Sequence, residues 1–294
     1  NQSGYDVKKF VFPAGEASKS SSTLIEILEF LAENNITRTD LFVALGGGVT
    51  GDLTGFVASC YLRGVDFVQI PTTLLAMVDS SIGGKTAINL PAGKNLCGAF
   101  YQPLAVFTDC DTLKTLPEET FNDGCAEIIK YGMILDGELL TFLNNNSIKE
   151  NIEYVIKRCV EIKRDVVSRD EFEKGERKLL NFGHTIGHAI EKCSNFEVSH
   201  GKAVAIGMVI ATKGAYEVGM SDEDYTDTII SILEKNNLPT ACDYSAEELY
   251  KASLSDKKRS LDTISLVVPD EYGLCKIMKL PVEDLQNFIE KGMN

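Results

Sequence analysis

The chain has 294 residues, 44% hydrophobic and 24% charged, enough to bury a sizeable core in two domains. Its 29 basic and 43 acidic side chains leave a formal charge of −14, a balance that disfavours a nucleic-acid partner. No apolar run approaches a membrane span, and no signal-peptide pattern opens the chain.

The opening residues alternate strand and helix signals. Lys9–Phe12 predicts a short strand stopped by Pro13, and Ser20–Asn34 carries Leu24, Ile27, Leu28 and Leu31 at helical spacing. Leu41–Leu45 is a continuous apolar run, the pattern of a buried parallel strand. A glycine turn and a helix over Leu53–Leu62 follow, then strands at Asp66–Ile70 and Ala105–Thr108. This order predicts a parallel sheet with crossover helices, an α/β Rossmann-like nucleotide-binding domain over residues 1–116. Beyond it, helical stretches dominate at Thr120–Leu135, Ile148–Ser168, Ala203–Glu217 and Thr226–Asn236. A late hairpin of Ile264–Val268 and Leu274–Met278 completes a mainly α-helical domain over residues 117–294. Eight scattered cysteines lack metal-ribbon or disulfide-scaffold spacing and read as reduced thiols of a cytoplasmic protein.

Gly46, Gly48 and Gly51 satisfy G-x-G-x-x-G directly after a predicted strand, where a helix N-terminus offers N–H groups to a pyrophosphate. The acidic residue that usually ends the next strand is absent, since Ile70-Pro71-Thr72-Thr73 stands there, so an ordinary Rossmann dehydrogenase is not expected. All three histidines, His184, His188 and His200, fall within seventeen residues, which points to a metal site. Two imidazoles and a carboxylate suit zinc or a similar divalent ion. His184 and His188 are placed to share one helix face, with Glu191 the nearest carboxylate; spacing alone does not choose the ligands. Gly83-Gly84-Lys85-Thr86 is not a Walker A motif, because Asp79 occupies its leading glycine position. Lys85, Lys94, Lys130, Lys163 and Arg177 sit beside glycine turns or small polar residues; converging, they would bind a phosphorylated, multiply anionic substrate.

Pro13–Lys19, Gly46–Asp52, Ile70–Thr86, Gly93–Asn95, Ala126–Lys130, Leu179–Glu191 and Ser199–Gly201, taken in order, resemble the 3-dehydroquinate synthase family of sugar-phosphate cyclases. The resemblance implies one divalent metal, zinc or cobalt, held by Glu127, His184 and His200, with His188 oriented near the substrate. It implies NAD bound by Glu16, Lys19, Gly47, Gly48, Val49, Thr50, Gly51, Asp52, Thr72, Thr73, Lys85, Lys94 and the Thr112-Leu113-Lys114-Thr115 segment. Asp79, Lys85, Asn95, Lys130, Lys163, Arg177, Asn181, His188 and Lys257 would surround the substrate. Arg63 would reach the substrate phosphate of a neighbouring subunit in a homodimer. The implied reaction converts 3-deoxy-D-arabino-heptulosonate 7-phosphate to 3-dehydroquinate by transient oxidation, phosphate elimination, re-reduction and aldol closure. Relatives start earlier, with a strand and helix whose acidic residue holds the adenosine ribose, so the first domain is expected to be incomplete at its start. Neighbouring readings are a cyclase making a cyclitol precursor, a polyol dehydrogenase releasing NADH, and an inactive binding module. Lys163, Arg177 and Asn181 ahead of His184 favour a carboxylate-bearing substrate.

Overall fold

The computed structural model describes residues 4–256 and 262–294, and the chain divides into two units, Asn1–Leu116 and Pro117–Asn294. In the first, Ser20 caps helix α1 (Ser21–Glu33) by accepting the Thr23 N–H at 3.3 Å. Strand β1 (Phe42–Gly46) turns directly into α2 (Gly48–Cys60), and β2 (Phe67–Pro71) runs parallel to β1 with Phe42 opposite Phe67. An antiparallel hairpin follows, β3 (Lys85–Leu90) with β4 (Gly93–Phe100); β5 (Ala105–Val106) then completes a parallel sheet ordered β1-β2-β5. Leu53, Phe56 and Val57 of α2 pack with Phe42, Phe67, Ile88, Ile27 and Leu31, and removing this apolar surface from water holds the layers together.

The structure departs from the sequence expectations here in identifiable ways. Lys9–Phe12 joins no sheet; Phe10 instead packs edge-on against Phe30, with ring centroids 5.3 Å apart. Helix α2 starts at Gly48 rather than Leu53, because packing on β1 and β3 overrides the weak propensity of its glycines. Strand β1 is buried on one face only among the described residues: Phe42 and Ala44 face the core, while Val43 and Leu45 are 52% and 63% exposed. The hairpin β3–β4 had no clear signal, since Gly93, Gly98 and several polar residues interrupt its alternation.

The second unit contains α3 (Glu118–Leu135), α4 (Gly137–Asn145), α5 (Ile152–Arg169), a 3₁₀ segment (Glu176–Asn181), α6 (His184–Cys193) and α7 (His200–Glu217). Then come α8 (Thr226–Lys235), α9 (Ala246–Asp256), the antiparallel hairpin β6 (Thr263–Glu271) and β7 (Leu274–Pro281), and α10 (Leu285–Met293). Every residue from Ala203 to Thr212 is buried, as befits a helix apolar all round, and α3, α6, α8, α10 and β6 pack about it. Helices α6 and α7 approach closely through glycine: a Cβ on Gly207 would overlap the Gly183 carbonyl and lie 2.9 Å from the Gly187 nitrogen. No helix among the described residues is long and apolar enough to cross a membrane.

Candidate functional site

Glu127 on α3, His184 at the start of α6 and His200 at the start of α7 offer ligand atoms that all lie within 4.8 Å of one another. The Nε2 atoms of His184 and His200 stand 3.5 and 3.4 Å from the same Glu127 Oε1. Those gaps exceed a good hydrogen bond but match the edge, about 3.3 Å, of a tetrahedron of ligands about 2.0–2.1 Å from a central zinc-like ion. His184 Nδ1 lies 3.0 Å from the Phe182 carbonyl, so that nitrogen carries the proton and donates, and the Nε2 lone pair faces Glu127. On the other side of His200, Nδ1 faces Glu191 Oε1 at 3.7 Å. The donor set therefore fits a divalent ion. A second grouping, His188, Glu191 and His200, shares His200.

Burial pushes His184 down to about 3, outweighing the attraction of Glu127, so its imidazole is neutral as a ligand must be. Burial also opposes charge on His200, but the nearby Glu127 and Glu191 carboxylates win and push it up to about 10. The carboxylates that favour a proton there equally favour a dication. Lys130, one turn beyond Glu127, pairs with Glu127 Oε2, and both are fully buried.

Lys163 on α5 and Arg177 in the 3₁₀ segment are buried too, on elements packed against α3. The Arg177 guanidinium donates to the Glu171 carbonyl, and Asn181 Nδ2 donates to Glu173 Oε1 at 2.7 Å. Asn181, His184 and His188 line a cavity of about 460 Å³ with Glu173, Lys178 and Ser253, roofed by Ile264, Val267 and Ile277 of the hairpin. Lys257, expected at the substrate, lies outside the described residues.

In the first unit the glycine turn is sterically obligatory. Gly46 has φ 157°, and a Cβ there would meet Thr50 Oγ1 at 2.5 Å; one on Gly48 would meet Ser80 Oγ at 2.9 Å. Gly48, Val49 and Thr50 form the first turn of α2, and the Thr72 N–H donates to the Gly46 carbonyl at 2.9 Å, seating the Thr72–Thr73 turn beside it. Lys19 Nζ donates to Asp52 Oδ2 and Asn95 Oδ1, each at 2.5 Å. Asp79 lies in a π-helical turn (Ala76–Ser80), Lys85 is the first residue of β3, and Lys94 lies with Asn95 in β4. Thr112–Thr115 occupy a 3₁₀ turn (Cys110–Thr115), in which Thr112 Oγ1 donates to the Asp109 carbonyl at 2.8 Å. Leu62 and Arg63 are both left-handed, at φ 48° and 66°, and Arg38 anchors the turn by donating twice to the Leu62 carbonyl, at 2.8 and 2.6 Å. Arg63 itself is exposed.

Sequence reasoning passed over Asn89. The hairpin register jumps from Ile88 opposite Cys97 to Leu90 opposite Gly93, so Asn89 alone faces a bulge holding Lys94, Asn95 and Leu96. Asn89 Oδ1 accepts the Asn95 N–H at 2.9 Å, and its Nδ2 donates to Glu16 Oε1 at 2.7 Å. Asn95 sits at φ 56°, a conformation asparagine tolerates better than most residues. The available signal was an asparagine between Ile88 and Leu90.

Two family models match in tandem: one described as 3-dehydroquinate synthase N-terminal over residues 9–123, another as 3-dehydroquinate synthase C-terminal over residues 124–259. A 3-dehydroquinate synthase of Clostridium acetobutylicum is 48% identical over 97% of this chain and 82% of its own length. A 2-deoxy-scyllo-inosose synthase structure, complexed with carbaglucose-6-phosphate, NAD⁺ and Co²⁺, matches with TM-score 0.86 at 29% identity, covering 96% of this chain and 81% of that one. A 2-epi-5-epi-valiolone synthase from Streptomyces hygroscopicus, with NAD⁺ and Zn²⁺ bound, matches with TM-score 0.87 at 25% identity over 96% and 81% of the two chains.

Proposed function

The chain belongs to the 3-dehydroquinate synthase family, and from that premise we infer that it is a lyase. It converts 3-deoxy-D-arabino-heptulosonate 7-phosphate to 3-dehydroquinate and phosphate, the ring-closing step that leads into the shikimate pathway. When bound, NAD supplies a hydride acceptor restored within each turnover, and a zinc or cobalt ion supplies Lewis-acid polarisation of substrate hydroxyls.

Glu127, His184 and His200 would hold the ion, on the spacing and lone-pair directions described above. The Gly46–Asp52 turn and the first turn of α2 would receive the NAD pyrophosphate, since bare glycines and helix N–H groups suit an anion. Glu16, Lys19, Asp52, Thr72, Thr73, Lys94 and the Thr112–Thr115 turn complete the proposed nucleotide contacts. Lys130, Lys163 and Arg177 are buried, a setting in which a cation attracts a carboxylate or phosphate strongly. Asn181 and His188 add hydrogen-bonding edges at the cavity, and Asp79, Lys85, Asn95 and Lys257 are assigned to the substrate on the family pattern. In the homodimer of this reading, Arg63 reaches across to a neighbour's substrate phosphate; its exposure and its anchored left-handed backbone support that role. Eight free cysteines suit the reducing cytoplasm.

The observation that carries the reading is the family match over residues 9–259 coinciding with a Glu127–His184–His200 cluster spaced for one ion. The test is phosphate release by the purified chain with NAD⁺ and zinc. We expect turnover of the heptulosonate phosphate, little with sedoheptulose 7-phosphate, and no net NADH. Stoichiometric NADH accumulation, or preference for sedoheptulose 7-phosphate, would reject it.

A further inference from the structure

We infer that Asp123 is a positioning residue that sets the metal ligand His200 against Glu127. This rests on the ligand set proposed above. Helix α7 begins at His200, yet its N-cap Ser199 makes no side-chain cap to its own helix. Ser199 Oγ instead donates to Asp123 Oδ1 at 2.5 Å, and the same oxygen accepts the Lys202 N–H at 3.1 Å. The third backbone N–H of α7, which a cap normally satisfies from within, is therefore satisfied by a carboxylate of another helix. Residues on both sides of His200 are bound to a single oxygen atom.

The packing beneath is equally direct. A Cβ on Gly201 would overlap the Asp123 carbonyl, so the start of α7 rests on the backbone of α3. Asp123 and Glu127 are four apart on α3 and share a face one turn apart. Glu119, one turn earlier on that face, pairs with the Lys202 ammonium. One stripe of α3 thus supplies a metal-ligand carboxylate and grips the first turn of the helix that supplies an imidazole. The segment leading into α7 is tied to the end of α6 instead, through Phe196 N–H to the Glu191 carbonyl at 2.7 Å and Val198 N–H to Ser194 Oγ at 3.1 Å. The contacts of Ser199 and Lys202 with Asp123 are therefore what hold the first turn of α7 to α3. The 3.4 Å spacing of His200 Nε2 from Glu127 Oε1 is accordingly set by Asp123.

Metal affinity measured on the whole protein, by chelator competition with Zn²⁺ and by the visible spectrum of the Co²⁺ form, tests this. Asp123→Ala should weaken metal binding about 10–100-fold, the range for outer-sphere groups that orient a ligand, and should alter the Co²⁺ spectrum. Asp123→Asn keeps an acceptor for both N–H and O–H donors and should stay within about threefold of wild type. Should Asp123→Ala not fold, Ser199→Ala removes one arm of the contact and should cost about fivefold. Glu127→Gln is the ruler for a lost ligand. Wild-type affinity in Asp123→Ala or in Ser199→Ala, alongside loss in Glu127→Gln, would overturn the role of Asp123. A wild-type protein that binds no metal, or Glu127→Gln that binds it unchanged, would overturn the ligand assignment and the inference with it.

Discussion

Glu127 and Lys130 form an ion pair with both side chains fully buried, and removing one partner strands the other charge in the interior. Breaking such a pair costs about 3–5 kcal/mol, so Glu127→Gln should lower stability in chemical denaturation by about that much. It should also weaken zinc binding by more than the roughly 100-fold that bounds outer-sphere changes. Asn89 works through geometry rather than charge. Asn89→Ala should weaken NAD binding about fivefold, the worth of one hydrogen bond, read by titration calorimetry. Asn89→Asp should be worse, because it sets a second carboxylate where the amide now donates to Glu16 at 2.7 Å. At this scale much of the site was legible. Three histidines in seventeen residues announce a metal, but Glu191 stood nearer in sequence than Glu127. Glu191 instead faces His200 Nδ1, the nitrogen turned away from Glu127. Its role follows from how α6 and α7 pack, which spacing along one helix does not contain.

Among the elements, α6 and α7 show why glycine matters to the site. Gly207→Ala must push α7 away from the Gly183 carbonyl, and overpacking of this kind costs about 1–3 kcal/mol. We expect a lower Tm and weaker metal binding together, because His184 follows Gly183 directly. The segment before the 3₁₀ turn depends on Asp170, whose carboxylate accepts the N–H groups of Lys174, Gly175 and Arg177 at 2.9, 2.7 and 3.0 Å. The Lys174 bond foremost holds the Asp170 carboxyl below its ordinary value of 3.8. Its contribution is complete above that value and is lost as pH falls through the lower folded one. Hydrogen exchange at residues 174–177 should accordingly quicken only at strongly acid pH in the wild type, and at neutral pH in Asp170→Ala. Element type was readable wherever periodicity was strong, as in α1, α3, α5 and the late hairpin. It failed at Lys9–Phe12, where apolar side chains dock individually, and at β3–β4, where polar residues shape a bulge instead of a regular ladder.

At the scale of the whole molecule, buried thiols report on global integrity. Burial pushes the Cys125 thiol up to about 12 and raises Cys275 as well. Each keeps its proton in the fold and loses it near the ordinary 9.0 once unfolded, so stability declines as pH rises from there towards the folded value. A thiol reagent followed by mass spectrometry should label exposed Cys60 quickly at neutral pH, and Cys125 and Cys275 only at the rate of unfolding. The amino-acid sequence by itself determined the glycine turn for an anion, the histidine cluster for a metal, the change from alternating strand and helix to mainly helix, and the family, because these are local patterns or strings of adjacent residues. Only the tertiary structure brings Glu127 within ligand distance of His184 and His200, sets Asp123 at the start of α7, and turns Asn89 to the Lys94–Leu96 bulge. Each of those depends on atoms brought within hydrogen-bond or ligand distance across long separations in the chain, and such contacts exist only once helices and strands have packed.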